Sequence, residues 1–456
     1  MTQEPFQTKN SDDIGKQAYD LARRLYPICR SVTGNGIRET LKILQEHVPF
    51  TIHEIASGTP VFDWVVPEEW NIKDAWIKNA RGEKVVDFKK HNLHVLQYSI
   101  SVSKRVSLAE LKDHLFTIPD KPQWIPFRTS FFQKNWGFCL SHEDFSRLEE
   151  GDYEVNIDST LKPGHLTYGE YFVPGRDTGE VVIYTHICHP SLANDNLSGI
   201  GMLTFLAKHL MNCKPRLSYR FVLAPGNVGA IAWLALNEQR TASIRHGLVL
   251  ACLGGPGDIH YKKSRRGNAE IDHTVQVALR DTGESYQLRE FSPYGYAERQ
   301  FCSPGFDLPV GCFMRTPHGE FPEYHTSADD LNYLKVEFLA DSWSKLCRVL
   351  YMLDNNGTFI NQNPKCEPRL GDRGLYGAIG GETNKKDWEM AMLWVLNLSD
   401  GNSSLLEIAE RSGLPFPLIR STADALIRAS LLKEASPLCD VENARSNRSD
   451  LKTVRA

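Results

Sequence analysis

Residues 181–199 read VVIYTHICHPSLANDNLSG. The apolar run 181–184 predicts a buried strand that leads directly to His186. A polar loop with Asp195 follows, and Ser198-Gly199 then opens an apolar segment that predicts a helix. An imidazole and a carboxylate at the carboxyl end of a strand, beside a helix N-terminus, lie where open α/β sheets place their sites. We therefore predict a functional site at this edge of a sheet.

A metal is the first candidate for this site, because imidazole and carboxylate are good ligands for zinc or a similar divalent ion. A third candidate ligand, His325, lies in the downstream segment EYHTSADD and completes a predicted set with His186 and Asp195. Alternatives remain open at this point. A histidine at a strand end can be a hydrogen-bonded structural residue, and an aspartate before a helix can be a cap. His189 or Cys188 could also replace one of the three ligands, since both lie in the same loop.

The segments THICHP (185–190), NDNLSG (194–199) and YHTSAD (324–329) resemble those of the co-catalytic zinc aminopeptidases. The resemblance implies that His186 binds one zinc, that Asp195 bridges two and that His325 binds the second. The chain is more similar still, along nearly its whole length, to a bacterial branch of aminopeptidase-like proteins with a domain of unknown function, often linked to polysaccharide or secondary-metabolite gene clusters. The shared phrases are RSVTG (30–34), VFDW (61–64), WGFC (136–139), KKSRRG (262–267), SPYGY (292–296), ERQF (298–301) and PHGE (317–320).

The chain departs from the active zinc aminopeptidases at three places. Those enzymes carry a Glu-Glu pair after the next strand, the first as general base and the second as a zinc ligand, whereas this chain has Gly226 and Asn227. A further aspartate ligand is expected after the strand 247–250, where the chain has Ala251-Cys252. The aspartate that supports the first histidine is replaced by Cys188. One ligand of each zinc is therefore missing, although His186, Asp195 and His325 remain.

These losses favour one zinc ion over two. Two zinc ions about 3.5–4 Å apart need several negative ligands to offset their mutual repulsion. A single remaining carboxylate does not provide them. Three protein ligands with an open fourth position are the arrangement of catalytic zinc.

A general base must then come from elsewhere, and we predict Glu298, Glu320 or Glu323. Glu323 lies two residues before His325, so alternation along an extended segment would point both side chains to one face. Glu298 and Glu320 each lie inside one of the shared phrases and are preferred for that reason. The alternative for each is a solvated surface glutamate.

Several further residues could bind a substrate. Arginines can hold an anion because a guanidinium pairs bidentately with carboxylate or phosphate, and tyrosines suit the walls of a polar pocket. A run of charges such as KKSRR can equally be a solvated face. The candidates are His189, Arg265, Arg266, Tyr294, Tyr296, Arg299, Arg315 and Tyr324.

Composition limits the classes of function. A net charge of −4 gives no electrostatic case for binding nucleic acid or an anionic membrane. The polar N-terminus predicts no signal peptide, and no apolar run reaches the ~20 residues of a membrane span. The cysteines form no Cys-x-x-Cys pair, which favours reduced thiols in a cytoplasmic protein.

The order of predicted elements indicates an α/β fold with a mostly parallel sheet flanked by helices, an inserted β-rich domain and a C-terminal winged-helix domain. Helices are predicted at 14–30 and 36–47, a strand at 50–55, and alternating strands and helices from 181 to 353. Helices at 388–398, 405–411 and 416–429, with a wing from 431, predict the winged helix. The predicted domains are 1–59 with 161–358 (aminopeptidase-like), 60–160 (inserted), 365–440 (winged helix) and 441–456 (mobile tail).

The favoured function is metal-dependent hydrolysis of an amide or peptide-like bond, with a peptide-like compound, a small metabolite or a modified sugar as substrate. The rival is a pseudoenzyme that binds or regulates through the pocket and the winged helix, and a metal-free transferase or ligase is a third hypothesis. The helix 416–429 lacks the basic stripe that phosphate contacts require, so DNA binding is disfavoured. The winged-helix or inserted domain could instead mediate a homo-oligomer.

Overall fold

The apolar run after Gly179 forms a fully buried strand in the computed structural model, which describes residues 10–375 and 382–435. The chain divides into two compact units, Met1–Gln276 with Glu284–Tyr351 and Val277–Gly283 with Met352–Ala456. The predicted tail 441–456, and the last residues of the predicted winged-helix domain, lie outside the described residues.

Both helices and strands occur throughout the described residues. In chain order, the helices are α1 (Ser11–Leu25), α2 (Asn35–Leu44), α3 (Leu108–Lys112), α4 (His142–Ser146), α5 (Gly199–Leu210), α6 (Gly226–Leu236), α7 (Glu270–Arg280), α8 (Glu298–Phe301), α9 (Val336–Asn355), α10 (Glu382–Leu398), α11 (Leu405–Ser412) and α12 (Phe416–Arg428). The strands are β1 (Thr51–Ala56), β2 (Pro60–Val61), β3 (Trp64–Val65), β4 (Glu69–Lys78), β5 (Lys84–Asp87), β6 (Val102–Ser107), β7 (Leu115–Phe116), β8 (Phe138–Cys139), β9 (Asp152–Lys162), β10 (His165–Val173), β11 (Glu180–His186), β12 (Ser218–Ala224), β13 (Ile244–Ala251), β14 (Ile259–Lys262), β15 (Tyr286–Arg289), β16 (Val310–Met314), β17 (Thr358–Asn361), β18 (Asp400–Ser404) and β19 (Leu432–Glu434).

The first unit is built on a sheet with strand order β1-β10-β12-β11-β13-β16-β14-β15. Its central strands β12, β11, β13 and β16 are parallel, and every residue of β11 and β12 is buried. A strand that is covered on both faces is apolar along its whole length. This explains why the sequences of these strands do not alternate between apolar and polar residues. The predicted α/β fold with a mostly parallel sheet is confirmed. The carboxyl ends of β11, β12 and β13 meet at one edge, where β11 ends on His186.

Residues 60–160 consist mostly of β-strands, as predicted. The antiparallel sheet β5-β4-β9-β6 has one buried face, so β9 alternates between buried and exposed side chains. Its apolar face packs around Trp70 and Phe138, and the Trp70 indole donates to the Ser99 carbonyl at 2.8 Å. This sheet falls in the same compact unit as the main sheet, and its boundaries as a separate domain stay a prediction.

The N-terminal helix ends earlier than the sequence suggested. Helix α1 stops at Leu25, two residues before Pro27, whereas the apolar periodicity favoured a helix to residue 30. Tyr26 still has helical φ and ψ and donates to the Ala22 carbonyl at 2.8 Å, but Pro27 has no N–H with which to continue the helix, which accounts for its end.

The second unit contains the winged helix. A small sheet β18-β17-β19 accompanies α10, α11 and α12. Ser404 caps α11 by accepting from the Glu407 amide at 3.2 Å, while Glu407 accepts from the Ser404 amide at 2.6 Å, and Gly413 ends that helix with φ 69°. The winged-helix prediction is confirmed. On α12, Arg420 pairs with Asp424 at 2.5 Å.

None of the described helices is long and apolar enough to cross a membrane.

Candidate metal centre

Three imidazoles surround one buried carboxylate at the carboxyl edge of the main sheet. Asp195 Oδ1 lies 2.8 Å from His186 Nε2, and Asp195 Oδ2 lies 3.0 Å from His325 Nε2 and 3.3 Å from His189 Nδ1. The ligand atoms of His186, His189 and Asp195 all lie within 4.8 Å of one another. The structure therefore brings together the three predicted ligands, and it adds His189 to them.

The turn Ala193–Ser198, which carries Asp195, is tied to the loop after β13. Asn194 Oδ1 accepts from the amides of Gly254 and Gly255 at 2.9 and 3.0 Å, and Ser198 Oγ accepts from the Leu253 amide at 2.8 Å. These hydrogen bonds fix the backbone between β11 and α5. The polar residues of the segment NDNLS thus hold Asp195 in place.

Two further contacts orient the ligands. Asn196 Nδ2 donates to Thr185 Oγ1 at 2.7 Å and lies 3.2 Å from His186 Nδ1, the ring nitrogen that faces away from Asp195. Asp329 accepts from the amides of Asn194 and Asp195 at 2.6 and 2.9 Å, and burial raises the pKa of this carboxyl to about 7. Hydrogen bonds of this kind around ligating groups are what a metal site requires.

The charge states suit a cation. Burial would raise the pKa of Asp195, but the neighbouring His189 and His186 hold it well below its usual range, so the carboxylate is ionised. Burial lowers the pKa of both His186 and His325, which keeps these imidazoles neutral near pH 7. An ionised carboxylate among neutral imidazoles is the form in which these groups bind a metal.

The donor set fits a single zinc ion. His189 Nδ1 is buried and makes no hydrogen bond with any described residue, although it faces Asp195. Three imidazoles and one carboxylate are ligands that zinc prefers. Cys188 and Cys252, which stand at two of the lost carboxylate positions, do not replace them as anions, because burial raises the pKa of the Cys188 thiol to about 12 and that of the Cys252 thiol well above its usual range.

A cavity of about 380 Å³ opens above these residues, and His186, His189 and His325 all line it. One wall comes from Gln97 and from residues 127–132, which the sequence placed in the inserted domain. Phe127 packs edge-on against His189 and His325, with ring centroids 5.2 and 5.0 Å apart. A wider depression of about 1000 Å³ at residues 235–245 includes none of these side chains.

The family of the chain follows from comparison with known proteins. The family described as Domain of unknown function (DUF4910) matches residues 19–356, and a winged helix-turn-helix family matches residues 357–434. The chain belongs to the DUF4910 family. A Clostridium acetobutylicum relative, whose name suggests a role in polysaccharide biosynthesis and gives an aminopeptidase-like domain, is 51% identical over 425 residues, which are 93% of this chain and 98% of the relative.

Solved structures show the same architecture. A Clostridium acetobutylicum protein described as a suggested peptidase has a TM-score of 0.89 and 49% identity, and the match covers 94% of this chain and 98% of that one. A zinc aminopeptidase from Bacillus subtilis has a TM-score of 0.55 at 13% identity, over 74% of this chain and 94% of its own. A peptidase M28 precursor from Shewanella amazonensis has a TM-score of 0.51 at 14% identity, over 77% and 97%. The last two share the fold with this DUF4910 protein.

The predicted glutamates do not line the cavity of this DUF4910 protein. Glu298 is buried, and its Oε1 lies 2.5 Å from Lys262 Nζ. Glu320 forms a bidentate ion pair with Arg289 at 2.5 and 2.6 Å, which lowers the pKa of the carboxyl. Glu323 is half-buried outside the lining. A direct role for any of them in proton transfer stays a prediction that this geometry does not favour.

The predicted arginines separate into two groups. Arg265 and Arg266 pair with Asp307 at the surface, and Arg315 is buried against Asp341 and the Gly257 carbonyl. These three lie outside the cavity lining, whereas Arg299 is part of it. Local sequence could not reveal this difference, since each pairing partner lies more than twenty residues away.

The predicted tyrosines all line the cavity. Tyr296 stacks on His186 with centroids 5.0 Å apart, and Tyr324 stacks on His325 at 3.9 Å. Tyr294 is exposed at the mouth. The two stacked rings hold the imidazoles in orientation and shield them from water.

His318 also lines the cavity and was missed by the sequence analysis. It packs against Tyr296 and Tyr294, and its Nδ1 is buried without a hydrogen-bond partner among the described residues. Burial lowers the pKa of His318, so the ring is mainly neutral at pH 7 and can accept a proton. The shared phrase PHGE contained this signal, since its histidine stands two residues before Glu320.

Proposed function

We propose that the chain is a metal-dependent hydrolase of an amide or peptide-like bond that holds one zinc ion between Asp195 and the imidazoles of His186, His189 and His325. The observation that supports it is the convergence of these imidazoles on one buried carboxylate, at the floor of a cavity. The fold is the one that zinc aminopeptidases use. The name of the Clostridium acetobutylicum relative favours a small substrate from polysaccharide metabolism, such as a modified sugar.

With three of these four side chains as its ligands, a zinc ion would keep one position open for an activated water and would polarise the scissile carbonyl. The chain's own residues supply orientation and proton transfer. Tyr296 and Tyr324 fix two of the imidazoles by stacking. The His318 imidazole would take the proton from the attacking water and deliver it to the leaving nitrogen, since burial lowers its pKa and the residue lines the same cavity.

The test is the metal content of protein purified without added metal. We expect about one zinc per chain in the wild type, and loss of that zinc in His186→Ala and His325→Ala. His165→Ala, at an exposed histidine of β10, is the matched control and should keep its metal. Absence of metal even after supplementation would reject the proposal.

If the wild type contains zinc, its activity is measured next. The zinc-containing wild type is incubated with an N-acetylated amino sugar, an N-acyl amino acid and a dipeptide, and hydrolysis is measured as the acetate or free amine that is released. Hydrolysis that disappears in His186→Ala supports the proposal. A zinc-loaded protein that hydrolyses none of the three classes would favour a binding protein instead.

A further inference from the structure

The lining of the cavity carries positive charge without a carboxylate of its own, since Asp195 lies behind the three imidazoles. No aspartate or glutamate occurs among the described residues that line it, while Arg128 and Arg299 both do. Among the described residues, neither guanidinium lies within ion-pair distance of a carboxylate. Arg265 and Arg289, which lie outside the cavity, do have acidic partners.

Arg299 is held in place by a neutral group. Asn227, in the first turn of α6, accepts from Arg299 Nη2 at 2.9 Å and donates to the Tyr296 carbonyl at 3.2 Å. Arg299 Nε is buried without a hydrogen-bond partner among the described residues. The guanidinium is thus positioned, partly dehydrated and still charged, with donor capacity to spare.

A third arginine lies behind the floor of the cavity. Arg30 is 1% exposed, and it donates from Nε to the His189 carbonyl at 3.0 Å and from Nη1 to the Leu25 carbonyl at 2.7 Å. Its Nη2 has no hydrogen-bond partner in the described residues. Burial lowers the pKa of Arg30 to about 10, so it is still protonated at pH 7 and adds to the positive potential.

Buried or half-buried cations without counter-ions are costly, and a concave wall of one charge concentrates the field inside it. A ligand with an ammonium group would face two guanidinium groups and no carboxylate on this lining, because Asp195 is 0% exposed behind the imidazoles. A ligand with a carboxylate or phosphate would offset the charge and could form bidentate hydrogen bonds with a guanidinium.

We infer that this cavity binds an oxyanion of its substrate, carboxylate or phosphate, through Arg299 and Arg128. Taken with the proposed hydrolase function, on which this step rests, the substrate is an anionic amide such as an N-acyl amino acid or a phosphorylated acyl-amino compound. A free α-amine, which an aminopeptidase substrate must present, has no acidic partner on this cavity wall.

Binding is measured by isothermal titration calorimetry with two anionic probes, N-acetylglycine and inorganic phosphate. N-acetylglycinamide, which has the same amide without the charge, is the neutral control ligand. The proteins are the wild type, Arg299→Gln and Arg128→Gln, with Arg265→Gln as the matched control, because Arg265 pairs with Asp307 outside the cavity. Each protein is tested both depleted of metal and loaded with zinc.

We expect at least one anion to bind the wild type and Arg265→Gln equally. Each cavity variant should bind that anion about tenfold more weakly, the loss of one charge-assisted contact. N-acetylglycine as the tighter probe assigns a carboxylate, and phosphate as the tighter probe assigns a phosphate. The inference is overturned if neither anion binds, if the neutral amide binds as well as N-acetylglycine, or if both cavity variants bind like the wild type.

The same design separates this inference from the proposed function. Arginine-dependent anion binding without hydrolysis would keep the oxyanion site and reject the hydrolase. If the protein hydrolyses neutral amides but binds neither anion, the hydrolase proposal stands and the oxyanion site is rejected. If Arg299→Gln does not fold, Arg128→Gln still tests the inference, because Arg128 is exposed and its replacement leaves the core intact.

Discussion

Replacing Glu298 with glutamine should destabilise the first unit and leave the chemistry of the site in place. The Glu298 and Lys262 side chains are 1% and 6% exposed, and Glu298 Oε1 lies 2.5 Å from Lys262 Nζ. Lys262 Nζ also donates to the carbonyls of Ser292 and Tyr294 at 3.1 and 2.8 Å. The buried pair therefore anchors the loop that carries Tyr294 and the cavity wall beside it.

The expected loss can be worked out from this burial. Breaking a buried ion pair by removing one partner costs about 3–5 kcal/mol, because the other charge stays buried without compensation. The first unit has about 340 residues, and unfolding entropy of about 2.1 cal/mol/K per residue gives roughly 0.7 kcal/mol/K. A loss of about 4 kcal/mol should then lower the Tm of that unit by about 6 °C.

Differential scanning calorimetry of the wild type, Glu298→Gln, Lys262→Met and the double variant provides the measurement. We expect each single variant to lose several degrees and the double variant to lose less than the sum, since it leaves neither charge alone. Hydrolysis by folded Glu298→Gln is measured alongside. An unchanged Tm together with abolished hydrolysis would refute this reasoning and make Glu298 the proton carrier that the sequence favoured.

Three other changes test the site and the fold. Asp195→Asn should reduce bound zinc to near zero while the protein stays folded, because the amide keeps the shape but not the charge; metal retained at the wild-type level would contradict the proposed centre. His318→Gln should slow hydrolysis by about 10²–10⁴ with zinc content unchanged, and an unaltered rate would exclude it as the base. Hydrogen bonds from Arg38 hold the pKa of Glu69 at about 2, below its usual 4.5, so its stabilisation is complete above pH 4.5 and is lost as pH falls through 2. Glu69→Gln should therefore lower the free energy of unfolding by about 1–2 kcal/mol at pH 7, after allowance for solvent screening, and by little at pH 2, and an equal loss at both pH values would disprove this linkage.

The sheet and the edge that carries the site could be predicted because their signals are local. The runs that became β11, β12 and β13 are apolar throughout, as strands covered on both faces must be. His186 and Asp195 stand at the two ends of one strand-to-helix connection, so their proximity follows from topology alone. The position of His325 came from resemblance, and the structure places its Nε2 3.0 Å from Asp195.

The cavity wall could not be predicted because it depends on pairing between distant segments. The Phe127 amide donates to the His325 carbonyl at 2.8 Å, and the Ile125 amide donates to Ser327 Oγ at 2.9 Å. Nearly two hundred residues separate these segments, and no local pattern marks either as a partner of the other. The residues that follow Phe127 are held by a further distant segment, since the Gln97 amide donates to the Arg128 carbonyl at 3.0 Å.

The ion pairs of Glu298 and Glu320 could not be predicted for the same reason, since they too join distant segments. Glu320 and Glu298 lie in phrases that the family shares, but a phrase does not show which cation a carboxylate faces. Arg289 neutralises Glu320 at the surface, and Lys262 neutralises Glu298 in the core. Since each cation lies some thirty residues away, their roles emerge only from the folded chain.

The net charge of the site relates the carboxylate ligands that this chain lacks to the charge that we expect of its substrate. Two of the positions where the resemblance implies a carboxylate ligand, one for each of two zinc ions, hold Asn227 and Cys252, and the Cys252 thiol stays protonated. Asn227 instead holds the guanidinium of Arg299. A fixed cation beside Asn227 would repel a second dication, so the lost carboxylates and the presence of Arg299 both favour the proposed single-metal site. A single zinc ion beside Asp195 would leave an excess of positive charge that no described residue of the cavity lining neutralises. We therefore expect the substrate to supply the missing negative charge.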